Sequence, residues 1–207
     1  MEKITKTKEK NAKFATGEHK KIAVTGGIGS GKSAVCEILR DMGYPVFSCD
    51  EIYKTMQTDP RYLAALEAAF PGAVKGDVLD KKFLSARVFS DPAALKRLNG
   101  LAHPEIMRRL YAETEKYPLS FAEVPLLFES GREKDFDAVI VVYRPENERI
   151  AAVCRRDGFT PEQVLERIKN QVDYEKIRKE GHTVIYNDGD YVSLREKVAL
   201  AVEKILN

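Results

Sequence analysis

Eight residues carry the strongest chemical signal in the chain: Gly26-Gly27-Ile28-Gly29-Ser30-Gly31-Lys32-Ser33. They satisfy G-x-x-x-x-G-K-[ST] at every fixed position, the pattern of a loop that cradles nucleotide phosphates. Glycines let backbone N–H groups close on phosphate oxygens, and a helix starting at the loop's end aims its positive pole at the same point. On this pattern Gly27, Ile28, Gly29, Ser30 and Gly31 form the cradle. Lys32 bridges the β- and γ-phosphates, and Ser33 offers its hydroxyl to Mg²⁺.

The flanking residues supply what the loop needs. Lys21-Ile22-Ala23-Val24-Thr25 reads as a short buried strand, and the stretch from Ser33 reads as a helix with apolar positions at 35, 38, 39 and 42. Further strands are predicted at Pro45–Ser48, Ser120–Val124, Ala138–Tyr143 and Thr183–Tyr186. Helical patterns fill the spaces between them, at 60–70, 92–116, 147–157, 161–180 and 191–206. Strands alternating with helices imply an α/β fold with a parallel sheet covered on both faces. Asp91-Pro92 and Thr160-Pro161 have the composition of helix starts. The segment 51–118 is almost wholly helical and exceeds what a crossover requires, so it reads as an inserted substrate-binding unit. An arginine-rich stretch, 146–181, reads as a lid. The core of this single domain is then 21–50, 119–145 and 182–207.

Composition excludes several classes. Charged residues make up 32% and hydrophobic ones 43% of 207 residues, and the net charge of +2 gives no basis for nucleic-acid or membrane-surface binding. The apolar run Ala138–Tyr143 is far too short to cross a bilayer. Residues 1–20 lack the apolar stretch of a secretory signal and read as a solvated tail. Cys36, Cys49 and Cys154 form no C-x-x-C pair, which argues against a zinc site or disulfide framework and fits a reducing cytoplasm.

A phosphate loop alone serves kinases, GTPases and motor ATPases. The base-reading N-K-x-D of GTPases is missing, and Asn187-Asp188-Gly189 lacks its lysine. No strand ends in the aspartate usual for motor ATPases, although Glu123 is a candidate outer-sphere partner for magnesium. A small kinase with a helical acceptor unit and an arginine lid remains, since phosphoryl transfer needs positive groups around the moving phosphoryl.

The chain resembles the dephospho-coenzyme A kinase family of P-loop kinases. The likeness runs from Val24–Ser33 through Val46-Phe47-Ser48-Cys49-Asp50, Phe89-Ser90-Asp91 and Ala102-His103-Pro104. It continues in Pro125-Leu126-Leu127-Phe128-Glu129, Val139–Val142, Arg155-Arg156-Asp157, Arg167-Ile168-Lys169-Asn170-Gln171 and Val184-Ile185-Tyr186-Asn187. It implies the three-layer fold of P-loop kinases and transfer of phosphate from ATP, with Mg²⁺, to the ribose 3′-hydroxyl of dephospho-coenzyme A. The enzyme would be cytoplasmic, a monomer or small homo-oligomer, without nucleic-acid or membrane partners. The chain departs from the family at Ser48, where a first aspartate is usual, at Ala152, where an arginine is frequent, and at Gly181-His182. Another small-molecule or nucleoside monophosphate kinase, or a nucleotide-binding regulator without catalysis, shares many of these features.

The resemblance assigns roles residue by residue. Asp50, just past the second strand, orients or deprotonates the acceptor hydroxyl; the bland alternative is an N-cap for the helix that follows. His103 with Pro104 opens a helix, the imidazole either packed inside or in the acceptor site. Pro125, Leu126 and Phe128 form an apolar wall for a long substrate or simply core. Arg149 and Arg156, seven apart, share a helix face, and Arg156 is the leading lid candidate for catalysis beside Lys32 and Asp50. Asn187 belongs to a turn near the nucleotide.

Overall fold

The computed structural model describes residues His19–Asn207, so of the tail predicted at 1–20 residues 1–18 lie outside the described residues, while Lys20 belongs to the first strand. β1 (Lys20–Thr25) is followed by the phosphate loop and α1 (Lys32–Asp41). β2 (Val46–Ser48) leads directly into α2 (Cys49–Met56). Then come α3 (Pro60–Ala69), the two-residue strands β3 (Val74–Lys75) and β4 (Val78–Leu79), α4 (Lys81–Phe89) and the long α5 (Pro92–Thr114). The chain returns through β5 (Leu119–Glu123), β6 (Ala138–Tyr143), α6 (Glu146–Asp157), α7 (Pro161–Lys169), α8 (Tyr174–Ile177), β7 (Thr183–Tyr186) and α9 (Tyr191–Leu206).

The main sheet has the order β2-β5-β1-β6-β7. β1 pairs in parallel with β5 and β6, and β6 in parallel with β7. From β1 the chain first builds one side of the sheet and later the other, so the order reverses at β1. Ligands of open α/β sheets bind at such a reversal, beyond the carboxyl ends of the strands. The phosphate loop stands there. Ile22, Val24, Phe121, Ile140 and Val142 pack with Val35, Ile38 and Leu39 of α1 and with Leu194 and Val198 of α9. Ala23, Ala122 and Val141, at the alternate positions, are also fully buried. These strands are therefore covered on both faces, which is why they read as continuous apolar runs.

The chain divides into two compact units, one holding residues up to Val46 together with Thr114–Asn207, the other Phe47–Glu113. The second has its own core, in which Tyr62, Leu63, Leu66 and Phe70 of α3 meet Leu84 and Val88 of α4 and Ala94 and Ala102 of α5. Its helix starts are written in short range: Asp59, Asp80 and Asp91 each accept a backbone N–H from the first turn of the helix that follows.

Three expectations are corrected. The predicted helix over 161–180 is two helices, because Asn170 closes α7, its Nδ2 donating to the Glu166 carbonyl at 3.0 Å, and Asp173 caps α8 by accepting from Glu175 N–H. α4 and the β3–β4 hairpin lie inside the insertion and were not foreseen. His103-Pro104 does not open a helix but sits within α5. Proline has no N–H, so Pro104 cannot donate to the Gly100 carbonyl one turn earlier, and α5 continues through it with that bond missing.

Candidate active site

Backbone geometry shapes the phosphate loop. Ser30 N–H donates to the Gly27 carbonyl at 3.1 Å, closing a turn, and Val35 N–H donates to the Gly31 carbonyl at 3.2 Å, starting α1. Gly31 is the N-cap of α1 at φ 93°, a left-handed conformation that side chains resist. Gly27 is glycine for a different reason. A Cβ there would stand 2.2 Å from Arg149 Nη1 and 3.4 Å from the Tyr174 ring.

Lys32 Nζ donates to the carbonyls of Gly26 at 2.7 Å and Gly27 at 3.1 Å, folding the ammonium back over the loop. Ser33 Oγ donates to Glu123 Oε1 at 3.1 Å, which joins the first turn of α1 to the end of β5. Ser33 and Glu123 offer neighbouring oxygen donors, the ligand type Mg²⁺ selects when phosphates and waters complete its shell. The residues present fit that ion.

Arg149 is buried, at 8% exposure, and burial pushes its guanidinium below the ordinary arginine range. Its nearest carboxylate, Glu146, is 4.0 Å away, and Nη1 is buried without a hydrogen-bond partner. A buried arginine keeps its charge. An open donor held against Gly27 is therefore a ready contact for an anion in the loop. Arg156 behaves otherwise: its guanidinium forms a two-pronged pair with Asp157, and its side chain is 65% exposed. Of the two arginines, Arg149 is the one brought to the loop.

Asn187 reaches the loop through its side chain, donating from Nδ2 to the Ser30 carbonyl at 2.8 Å. Tyr174 is buried beneath the loop, its hydroxyl 3.4 Å from Thr25 Oγ1, and burial drives its pKa up to about 12. Gln171 Oε1 accepts from Ile28 N–H at 2.9 Å, and Glu129 Oε1 accepts from Val172 N–H at 3.1 Å. Sequence reading gave no role to Gln171, Glu129 or Tyr174. Their signal lay in the motif segments ending at Glu129 and Gln171, but a continuous helical pattern concealed the break that turns Gln171 inward.

Of the apolar wall, Leu126 is 45% exposed and Leu127 fully buried, so Leu126 is free for contact while its neighbour is core. The Phe128 ring packs against Tyr174 and His182.

In the second unit Asp50 occupies the first turn of α2, exposed, and Ser48 holds the N-cap position without a side-chain cap bond. The N-cap alternative for Asp50 is thereby removed. A groove of about 1020 Å³ runs between α2, α3 and α5, with Ile52, Arg61, Tyr62, Pro104 and Arg108 among its lining residues. Across it Arg109 is paired with both Asp59 and Glu105. His103, next to Pro104, is exposed rather than packed inside.

The chain is similar to known proteins over most of its length. A family model described as dephospho-CoA kinase matches residues 20–193. The dephospho-CoA kinase of Deinococcus radiodurans is 36% identical over 193 residues, covering 90% of this chain and 92% of its own. The crystal structure of TT1252 from Thermus thermophilus superposes with a TM-score of 0.80 at 38% identity, over 92% of this chain and 99% of that one. The dephospho-CoA kinase from Campylobacter jejuni gives 0.65 at 27% identity, over 89% and 96%.

Proposed function

The chain belongs to the dephospho-CoA kinase family and phosphorylates dephospho-CoA with ATP, the final step of coenzyme A biosynthesis, and we propose that the acceptor is the ribose 3′-hydroxyl with Asp50 as its base. The observation that supports this reading best is the phosphate loop itself, with a buried, partnerless Arg149 donor against Gly27 and Lys32 folded over it. Lys32 and Arg149 hold the β- and γ-phosphates and offset the charge that spreads over the moving phosphoryl. Ser33 and Glu123 would hold Mg²⁺, which when bound neutralises phosphate charge. Gly29, Ser30, Gly31 and Asn187 keep the loop in the shape that receives them. Asp50 takes the proton from the acceptor hydroxyl, and it must do so alone, because Ser48 stands where the family's first aspartate is usual.

The groove of the helical unit suits the long arm of the acceptor, because apolar Ile52 and Pro104 lie beside the cationic Arg61 and Arg108. No helix among the described residues is long and apolar enough to cross a membrane. Cys36, Cys49 and Cys154 form no disulfide, which fits a reducing compartment such as the cytoplasm.

Purified protein incubated with ATP and Mg²⁺ should release ADP with dephospho-CoA and give a product phosphorylated on the 3′-oxygen. AMP, adenosine and shikimate should be far poorer in kcat/KM, since remote contacts are used in the transition state. Equal turnover of AMP would replace this reading by a nucleoside monophosphate kinase.

A further inference from the structure

We propose that Gln171 is a positioning residue for phosphoryl transfer, which sets Lys32 by holding the opposite edge of the Gly27–Ile28 peptide. The inference rests on the phosphate loop being the ATP site. The Ile28 N–H and the Gly27 carbonyl belong to one rigid, planar unit. On one edge of it, Gln171 Oε1 accepts from Ile28 N–H at 2.9 Å. On the other, the Gly27 carbonyl accepts from Ser30 N–H and from Lys32 Nζ, both at 3.1 Å. Rotation of this peptide, which Gly27 makes easy, would break the loop's turn and take from the lysine one of its two carbonyl partners, leaving it on the Gly26 carbonyl alone at 2.7 Å and so displaced. A side-chain acceptor 143 residues away is what forbids that rotation.

Gln171 is itself held at three points. Its own N–H donates to the Ile168 carbonyl at 3.0 Å. The next residue, Val172, donates to Glu129 Oε1 at 3.1 Å. Two residues further, Tyr174 is buried with its hydroxyl 3.4 Å from Thr25 Oγ1 and its ring in line with Gly27. The chain between α7 and α8 therefore runs as a strap along the loop. A carboxamide is suited to this place: it accepts as strongly as a peptide carbonyl without adding negative charge beside phosphates.

Gln171→Leu keeps the volume and removes the acceptor. It should lower kcat by at least ~10-fold, the scale of a small displacement of a reacting group. KM for dephospho-CoA should stay within about two-fold, because the acceptor unit is untouched. In a Lys32→Ala background the same substitution should change kcat by less than about two-fold, since residues acting through one group are not additive. Gln171→Glu keeps an oxygen of the same reach and should restore kcat at saturating ATP while raising KM for ATP through its charge. Should the leucine variant not fold, Gln171→Ala carries the same test. Wild-type turnover in Gln171→Leu, or an equal proportional loss with and without Lys32, would overturn the proposal. Failure of the unmodified protein to phosphorylate dephospho-CoA would instead strike the functional reading.

Discussion

The guanidinium of Arg149 lies directly over Gly27, close enough that a Cβ on that glycine would come within 2.2 Å of Nη1. A glycine and an arginine 122 residues apart are thus adapted to each other, the first by lacking a side chain and the second by being buried. Among the described residues the ion pair of Arg149 is a 4.0 Å approach to Glu146, so its buried charge is weakly compensated within the fold.

Arg149→Met tests what that charge does. It fills the same space with an apolar chain and removes an incompletely paired buried charge, a change that often leaves stability equal or higher. The melting temperature should hold or rise, while kcat/KM for ATP falls by at least ~10²-fold, as when an electrostatic group aimed at the transition state is lost. Arg156→Met should do much less, because Asp157 already occupies that guanidinium. A reversal of the two results would return the role to Arg156.

Gly31 gives a second test. A Cβ on it would stand 2.1 Å from Asn187 Nδ2, and its φ is 93°. Gly31→Ala therefore meets two obstacles, one steric and one in the backbone. Removing the steric one in Gly31→Ala/Asn187→Ala should not restore ATP affinity, because the left-handed backbone still costs about 1 kcal/mol or more for alanine. Asn187→Ala alone removes the bond to the Ser30 carbonyl and should raise KM for ATP several-fold with the fold intact. Full recovery in the double variant, measured by nucleotide titration, would show that only the clash mattered.

How far the sequence revealed this can be judged from two regions. Around the loop, strand, glycines and helix follow from local chemistry, and the central strands β1, β5 and β6 were legible because both-face burial makes continuous apolar runs. Between 161 and 180 local signals misled. Arg167 to Gln171 continues a helical pattern, and the turn at 170–173 is held by bonds to residues distant in the chain: Ile28 N–H donates to Gln171 Oε1, and Val172 N–H donates to Glu129 Oε1. In the insertion, the hairpin turning at Gly76 was hidden for a different reason. Pairs of two residues carry no periodicity to read. Arg149 was legible as a lid arginine, but its burial, which sets it apart from Arg156, depends on the packing of α6.

The groove of the second unit predicts a pH dependence. Hydrogen bonds from Arg108 and then Arg109 bring the Glu105 carboxyl down to about 2, from an ordinary 4.5. A pKa depressed in the folded state contributes stability above the unfolded value, and loses it as pH falls through the folded one. Glu105→Gln should therefore cost about 1 kcal/mol at pH 7, a figure discounted because the pair is partly exposed. In urea titrations the gap between wild type and variant should narrow as pH drops below about 4.5. A gap that stays constant with pH would assign the loss to packing rather than charge.

Asp50→Asn decides whether one carboxylate serves the acceptor. The residue lies in the first turn of α2 and is not its N-cap, so its structural share is limited to a favourable charge near the helix's positive end. That share is about 0.3–1 kcal/mol, and asparagine keeps the shape of the side chain. Denaturation should thus shift little, and ATP should bind as before, since the phosphate loop does not include this residue. Turnover of dephospho-CoA should fall by ~10²-fold or more, the usual range when a general base is removed. The loss should appear in kcat, because the proton is taken only in the transition state. An Asp50→Asn enzyme with ordinary turnover would require a base elsewhere, and exposed His103, beside the groove-lining Pro104, is the next group to replace.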